Sequence, residues 1–176
     1  MPVEVDKLVI RLWPDPVLRG TAEPVDPSDP QVQAVATRML ELMREARGVG
    51  LAAPQVGLAW RLFVANATGE AEDDQVFINP VFTEATEAVD VHTEGCLSLP
   101  GIEAEIRRPV AITIEAQDLS GKRFTLTDEE LPARIWQHEV DHLDGVLILD
   151  RMTEMDRLAS RRALKDLESR YQSPAG

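Results

Sequence analysis

Residues Gln137 to His142, QHEVDH, constrain this chain more than any other stretch, because their chemistry works only if they form a turn of helix. His138 and His142 stand four residues apart, and at about 3.6 residues per turn both imidazoles leave the same face, one above the other. Two rings so placed can grip one metal ion. Glu139 beside them then sits within reach of a water on that ion without having to ligate it. The competing reading is structural: Leu131, Ile135, His138 and His142 also continue an apolar stripe, and hydrogen-bonded histidines can line a core with no metal. A metal centre needs a third ligand from elsewhere in the chain.

Such a helix needs a domain around it. At 176 residues the chain can build one core and falls short of the size, about 250 residues, at which chains divide; one domain over residues 1–176 is expected. The 44% hydrophobic and 28% charged content is that of a globular protein rather than a disordered or membrane one. No apolar run approaches the roughly 20 residues of a spanning helix, and no membrane partner is expected. The opening MPVEVDKLVI lacks the basic start and apolar core of a signal peptide, so a cytoplasmic location is expected. A formal charge of −13 repels phosphate backbones, which argues against direct DNA binding. The stretch from Thr153 to Tyr171 departs from that acidity, with five basic residues against four acidic ones.

Along the chain, PDPVLR at 14–19 predicts an extended entry into a short turn or helical piece. Val32, Val35, Met39, Leu42, Met43 and Ala46 recur at helical spacing, so Pro30 to Arg47 reads as an amphipathic helix capped by Asp29 and stopped by Gly48. GVGLAAPQVG, Gly48 to Gly57, suits neither helix nor strand interior; it reads as a tight connection, or as backbone that something approaches closely. Strands are predicted over Trp60–Asn66, Gln75–Pro80 and Val81–His92, with Thr68–Asp74 as a flexible acidic loop. Pro109–Gln117 and Lys122–Thr127 read as a hairpin turned by LSGK. Asp128 offers a cap for the helix carrying QHEVDH, Pro132 falls in its first turn, and Gly145 ends it. Val146–Leu149 reads as a short buried strand, and Thr153–Tyr171 as a final amphipathic helix. The expected architecture is α+β: antiparallel strands packed around a central metal-binding helix, with an N-terminal amphipathic helix and a C-terminal helix over about 153–171.

The third ligand is Cys96, in EGCLSLPG. A lone cysteine is more often core filler; beside HEVDH a thiolate suits a borderline-soft divalent metal, and the glycine, serine and proline around it make a loop able to aim its sulfur. Three protein ligands leave one position open, the arrangement of a catalytic site rather than a structural one.

With these residues in view, the sequence resembles the bacterial-type peptide deformylase family. The family motifs G-x-G-x-A-A-x-Q, E-G-C-L-S and Q-H-E-x-D-H stand here as GVGLAAPQ (Gly48 to Gln55), EGCLS (Glu94 to Ser98) and QHEVDH. PDPVLR, FINP at Phe77 to Pro80 and the HLDG continuation at His142 extend the likeness over nearly the whole chain. The resemblance implies hydrolysis of the N-formyl group from the initiator methionine of nascent polypeptides. It implies one divalent ion on Cys96, His138 and His142, ferrous iron in the cell with zinc, nickel or cobalt tolerated. A hydroxide on that ion would attack the formyl carbon, with Glu139 taking up the proton and returning it to the amine. Gln55, through its amide, and Leu97, through its backbone N–H, would donate to the formyl oxygen. Gly50 would meet the substrate chain as an adjoining strand does, Val49, Ile135 and Trp136 would wall a methionine-sized pocket, and Arg108, which matches a basic position in the family, would help bind the substrate. Glu94 and Asp141 would orient ligands, and the C-terminal helix would dock on the ribosome.

Two other readings share these residues. An H-E-x-x-H zinc endopeptidase uses the same histidine pair and base but a different third ligand. A non-catalytic relative would bind metal without turnover, against which the presence of Glu139, Gln55 and all three ligands argues.

Overall fold

In a computed structural model residues 1–172 are described; residues 173–176 of the expected domain lie outside them. Helix α1 (Pro30–Glu45) starts where the sequence predicts, with the Asp29 carboxylate accepting from the Gln31 N–H and Pro30 in the first position. Its buried face carries Val32, Val35, Met39, Leu42 and Met43, each burial contributing roughly 1.5–3 kcal/mol. Its stop differs from the expectation. Arg47, not Gly48, takes the left-handed φ of 56°, and the Gly48 N–H donates to Met43 O to close a Schellman turn. Gly48 is small for another reason: a Cβ there would lie 2.7 Å from Leu97 Cδ1.

Seven strands follow: β1 (Gly50–Ala52), β2 (Leu62–Ala65), β3 (Gln75–Ala85), β4 (Val89–Gly95), β5 (Glu103–Pro109), β6 (Ala111–Gln117) and β7 (Arg123–Glu129). They form a five-stranded sheet, β1-β2-β3-β6-β7, and a separate β4-β5 ribbon, antiparallel throughout. Side-chain alternation sorts the larger sheet into two faces. Leu62, Val64 and Ile78 join the cluster built on α1, whereas Phe63, Phe77, Ile112 and Ile114 pack with Trp136 and Val140 of α2 (Glu130–Leu143). The candidate metal-binding motif therefore rides on a helix seated against the sheet, with β1 along one flank. Beyond it, α3 (Ile148–Arg151) and α4 (Glu154–Arg170) cover the β4-β5 ribbon through Leu147, Ile148, Leu149, Leu164 and Leu167. The fold is α+β, as expected.

Several boundaries are corrected. Strand β3 runs through Pro80 instead of stopping there, because a bulge at Asn79 (φ 52°) takes the proline out of the ladder. The Asn79 side chain ties that bulge to Val25, accepting from its N–H and donating to its carbonyl. The loop Thr68–Asp74 is organised by buried Asn66, whose amide donates to Glu70 O and Asp74 Oδ1 while its oxygen accepts from the N–H groups of Thr68 and Gly69. Asp128 belongs to β7, and α2 begins at Glu130 with no side-chain cap. Val146–Leu149 is not a strand; its last two residues begin α3, with the Asp150 carboxylate taking the Leu147 N–H. Gly145 does end α2: it has φ 73°, and a Cβ on it would lie 2.5 Å from Arg19 O. No helix among the described residues is long and apolar enough to cross a membrane.

Candidate metal centre

One turn of α2 presents both imidazoles, and the turn after β4 brings Cys96 to them. His138 Nε2 and His142 Nε2 lie 3.2 Å apart, Cys96 Sγ lies 3.4 Å from His142 Nε2, and all three donor atoms fall within 4.8 Å of one another. A tetrahedral ion with bonds of about 2.0–2.3 Å needs donors about 3.3–3.6 Å apart. The thiol and imidazole set thus has both the chemistry and the spacing for one divalent ion. Without an ion the two rings differ in their electrostatics. Burial disfavours charge on His138, but Cys96, Glu94 and Glu139 outweigh it and raise its pKa well above that of an ordinary histidine. His142, pushed down by burial and by the charges of His138 and Arg108, stays neutral, as a ligand must.

Behind the ligands lies a dense ionic layer. Glu94, at the end of β4, accepts from Arg108 Nε and Nη2 at 2.6 and 2.9 Å, from Arg134 Nη1 at 2.6 Å, and pairs with His138 Nδ1 at 2.9 Å. Burial opposes ionisation of Glu94, yet Arg108 and His138 overcome it and hold its carboxyl well below the usual carboxylate range. The His138 contact fixes the ring with Nε2 toward Cys96. Arg108 also donates to Asp141, which receives Arg151 as well. Arg108, expected against the substrate, is 3% exposed and forms part of this layer, away from the cleft. Arg134 escaped the sequence reading, though a charged residue four before His138 was its signal. It joins Glu94 to Ile106 O and Asp90 Oδ1.

On the other side a cleft of about 730 Å³ opens, lined by Val49, Gly50, Gln55, Leu97, Ile135, His138 and Glu139 among others. Glu139 is 3% exposed and its Oε2 has no partner among the described residues. Burial, more than the nearby charges, pushes its carboxyl up to about 7. Gly50 makes room for it, since a Cβ at position 50 would stand 2.6 Å from Glu139 Oε1. Gln55 is fixed at its oxygen, which accepts from the Ala52 N–H at 2.9 Å, so its nitrogen is turned to Ser98 Oγ (3.1 Å) and Cys96 Sγ (3.7 Å). The Leu97 N–H has no acceptor among the described residues. Strand β1 is an edge strand. Because the Val49 carbonyl accepts from Asn66 on the β2 side, ladder alternation turns the Gly50 N–H and C=O to the open edge. Val49 is 45% exposed on the cleft, whereas Trp136, a candidate pocket wall, is 1% exposed in the sheet core.

The fold and the site define a class: an α+β protein whose central helix and the turn after β4 present a candidate Cys-His-His metal site, beside a buried carboxylate with no partner among the described residues. Within that class the chain belongs to the polypeptide deformylase family, whose profile matches residues 7–158. It is 44% identical over 162 residues to a peptide deformylase of Rhizobium meliloti, covering 90% of this chain and 93% of that one. Against the chloroplastic/mitochondrial peptide deformylase 1B of Arabidopsis thaliana it is 41% identical, covering 93% of this chain but only 61% of the relative's length. A solved peptide deformylase structure from Plasmodium falciparum superposes with a TM-score of 0.91 at 36% identity, covering 96% of this chain and 99% of that one.

Proposed function

We propose that this protein removes the N-formyl group from the initiator methionine of nascent polypeptides by hydrolysis, adding water across the formamide C–N bond to release formate and a free amine. The observation that carries the reading is Glu139: a buried carboxylate with a free oxygen, beside three convergent metal donors and facing a cleft with an open strand edge. Cys96, His138 and His142 would hold a divalent ion, which would supply Lewis acidity to the site.

The chain's own residues do the rest. Glu139 Oε2 accepts the proton lost by the attacking water and delivers it to the departing amine, which balances the hydrolysis. The Gln55 Nε2 amide and the Leu97 N–H donate to the formyl oxygen as negative charge builds on it. Gly50 pairs with the substrate backbone along the open edge of β1, and Val49 and Ile135 flank the methionine side chain. Glu94, itself held by two guanidiniums, keeps the His138 ring in register. The protein reads as one catalytic domain acting in the cytoplasm with ferrous iron, and its last helix reads as a ribosome-docking element; the near balance of charge in that segment of an acidic chain supports the docking.

Anaerobic purification with metal analysis, followed by formate release from formyl-Met-Ala-Ser, tests the reading. Turnover in proportion to bound metal, lost in Cys96→Ser, is the expected result. Cleavage of internal peptide bonds without formate release would sink it.

A further inference from the structure

The cleft extends beyond the reach of a formyl-methionine. Its roughly 730 Å³ runs from His138 and Glu139, past the turn between β4 and β5, to α4, where Ala159, Ser160 and Ala163 form the far wall. Clefts of about 300–1,000 Å³ hold ligands of drug size, so one formylated residue leaves much of this one unfilled.

Ser160 marks that far wall as more than packing. It is 7% exposed and is the one buried residue of α4, yet its hydroxyl makes no hydrogen bond among the described residues. Serine inside a helix is less favourable than alanine and can bond back to the carbonyl four residues earlier; here Ser160 makes no such bond and lines the cleft. Exposed Ala159 and half-buried Ala163 beside it keep the space open. The wall is firmly held: Asp156 of α4 accepts the Glu105 N–H at 3.0 Å, Trp13 Nε1 donates to Glu168 at 3.2 Å, and Leu164 and Leu167 pack on the core.

We infer that α4 forms the downstream subsite for the nascent polypeptide, with the Ser160 hydroxyl meeting a backbone polar group several residues after the methionine. The inference rests on the deformylase reading and gives α4 a role in substrate binding.

The test is the ratio of kcat/KM for formyl-Met-Ala-Ser-Lys-Ala-Gly to that for formyl-Met-Ala in the metal-loaded full chain. The wild-type protein is expected to favour the longer peptide. Ala159→Trp, which fills the far arm from an exposed helix position, should lower the ratio about tenfold, the equivalent of roughly 1.4 kcal/mol. Ser160→Ala should lower it about threefold, the scale of one neutral hydrogen bond. Leu158→Trp, on the face turned away from the cleft, should leave it unchanged. In the wild type, adding the unformylated peptide Met-Ala-Ser-Lys-Ala-Gly should shift the amide resonances of residues 159–163. A ratio near one in the wild type, or one that neither cleft variant moves, overturns the subsite. No formate from either peptide overturns the deformylase reading instead.

Discussion

The protein treats polar atoms in opposite ways behind the candidate ligands and in front of them. Behind, Glu94 meets Arg108, Arg134 and His138, and Asp141 meets Arg108 and Arg151, so each buried charge is answered by another. In front, Glu139 Oε2 and the Leu97 N–H have no partner among the described residues. An unanswered buried carboxylate costs stability, and such groups concentrate where chemistry uses them. The difference teaches a division of labour: the charge-paired rear holds the His138 ring whatever the cleft contains, although His142 Nδ1 has no partner among the described residues, and the unpaired front is left free for a reacting molecule.

Substitutions on either side sharpen that contrast. The largest effect is expected in front: Glu139→Ala should lower formate release by about 10²–10⁴-fold, with bound metal unchanged by elemental analysis. At the rear, Glu94→Gln should cost roughly 3–5 kcal/mol of stability in urea melts, as breaking a buried ion pair does, and weaken metal affinity by about 10–100-fold. A Glu94→Gln protein with unaltered stability would erase the distinction. Gln55→Ala should lower kcat by about 10²–10³, the scale of a deleted oxyanion donor, with little change in the melt.

The smallest effect is a pH slope in the metal-free protein. The Glu139 carboxyl is raised in the fold from its ordinary 4.5 to about 7, so the folded state holds a proton that the unfolded state has released. Its contribution to stability is present below about pH 4.5 and is lost as pH rises to about 7, by at most about 1.4 kcal/mol per pH unit. Glu94 has the opposite sign: its stabilisation is present above the ordinary carboxylate range and lost only in acid. Glu139→Gln should flatten the first slope and leave the second, which melts at about pH 3, pH 5 and pH 8 in both proteins can check.

Much of this was legible in the sequence. The caps at Asp29 and Gly145, the apolar period of α1 and the alternation in β6 all express local rules. The histidine spacing and the family motifs bring Cys96, Gln55 and Glu139 together on paper as they do in space. What escaped depends on tertiary contact. Strand β3 continues through Pro80 because Asn79, tied to the distant Val25, absorbs the break. Arg108 and Arg134 look like surface charges until the β4-β5 ribbon folds against α2 and Glu94 receives both. The loop after Asn66 reads as a solvated acidic run because its organising amide bonds lie within the loop itself and leave no periodicity to detect.

The 2.6 Å approach that a Cβ on Gly50 would make to Glu139 also has a consequence for descent. Positions 50 and 139 are thereby coupled sterically, although 89 positions separate them in the sequence. A lineage that acquires a side chain at 50 must first displace or discard the carboxylate at 139, whereas losing the carboxylate releases 50 to vary. Among distant chains with this fold, reading the two positions jointly should therefore separate those able to move a proton from those that only bind.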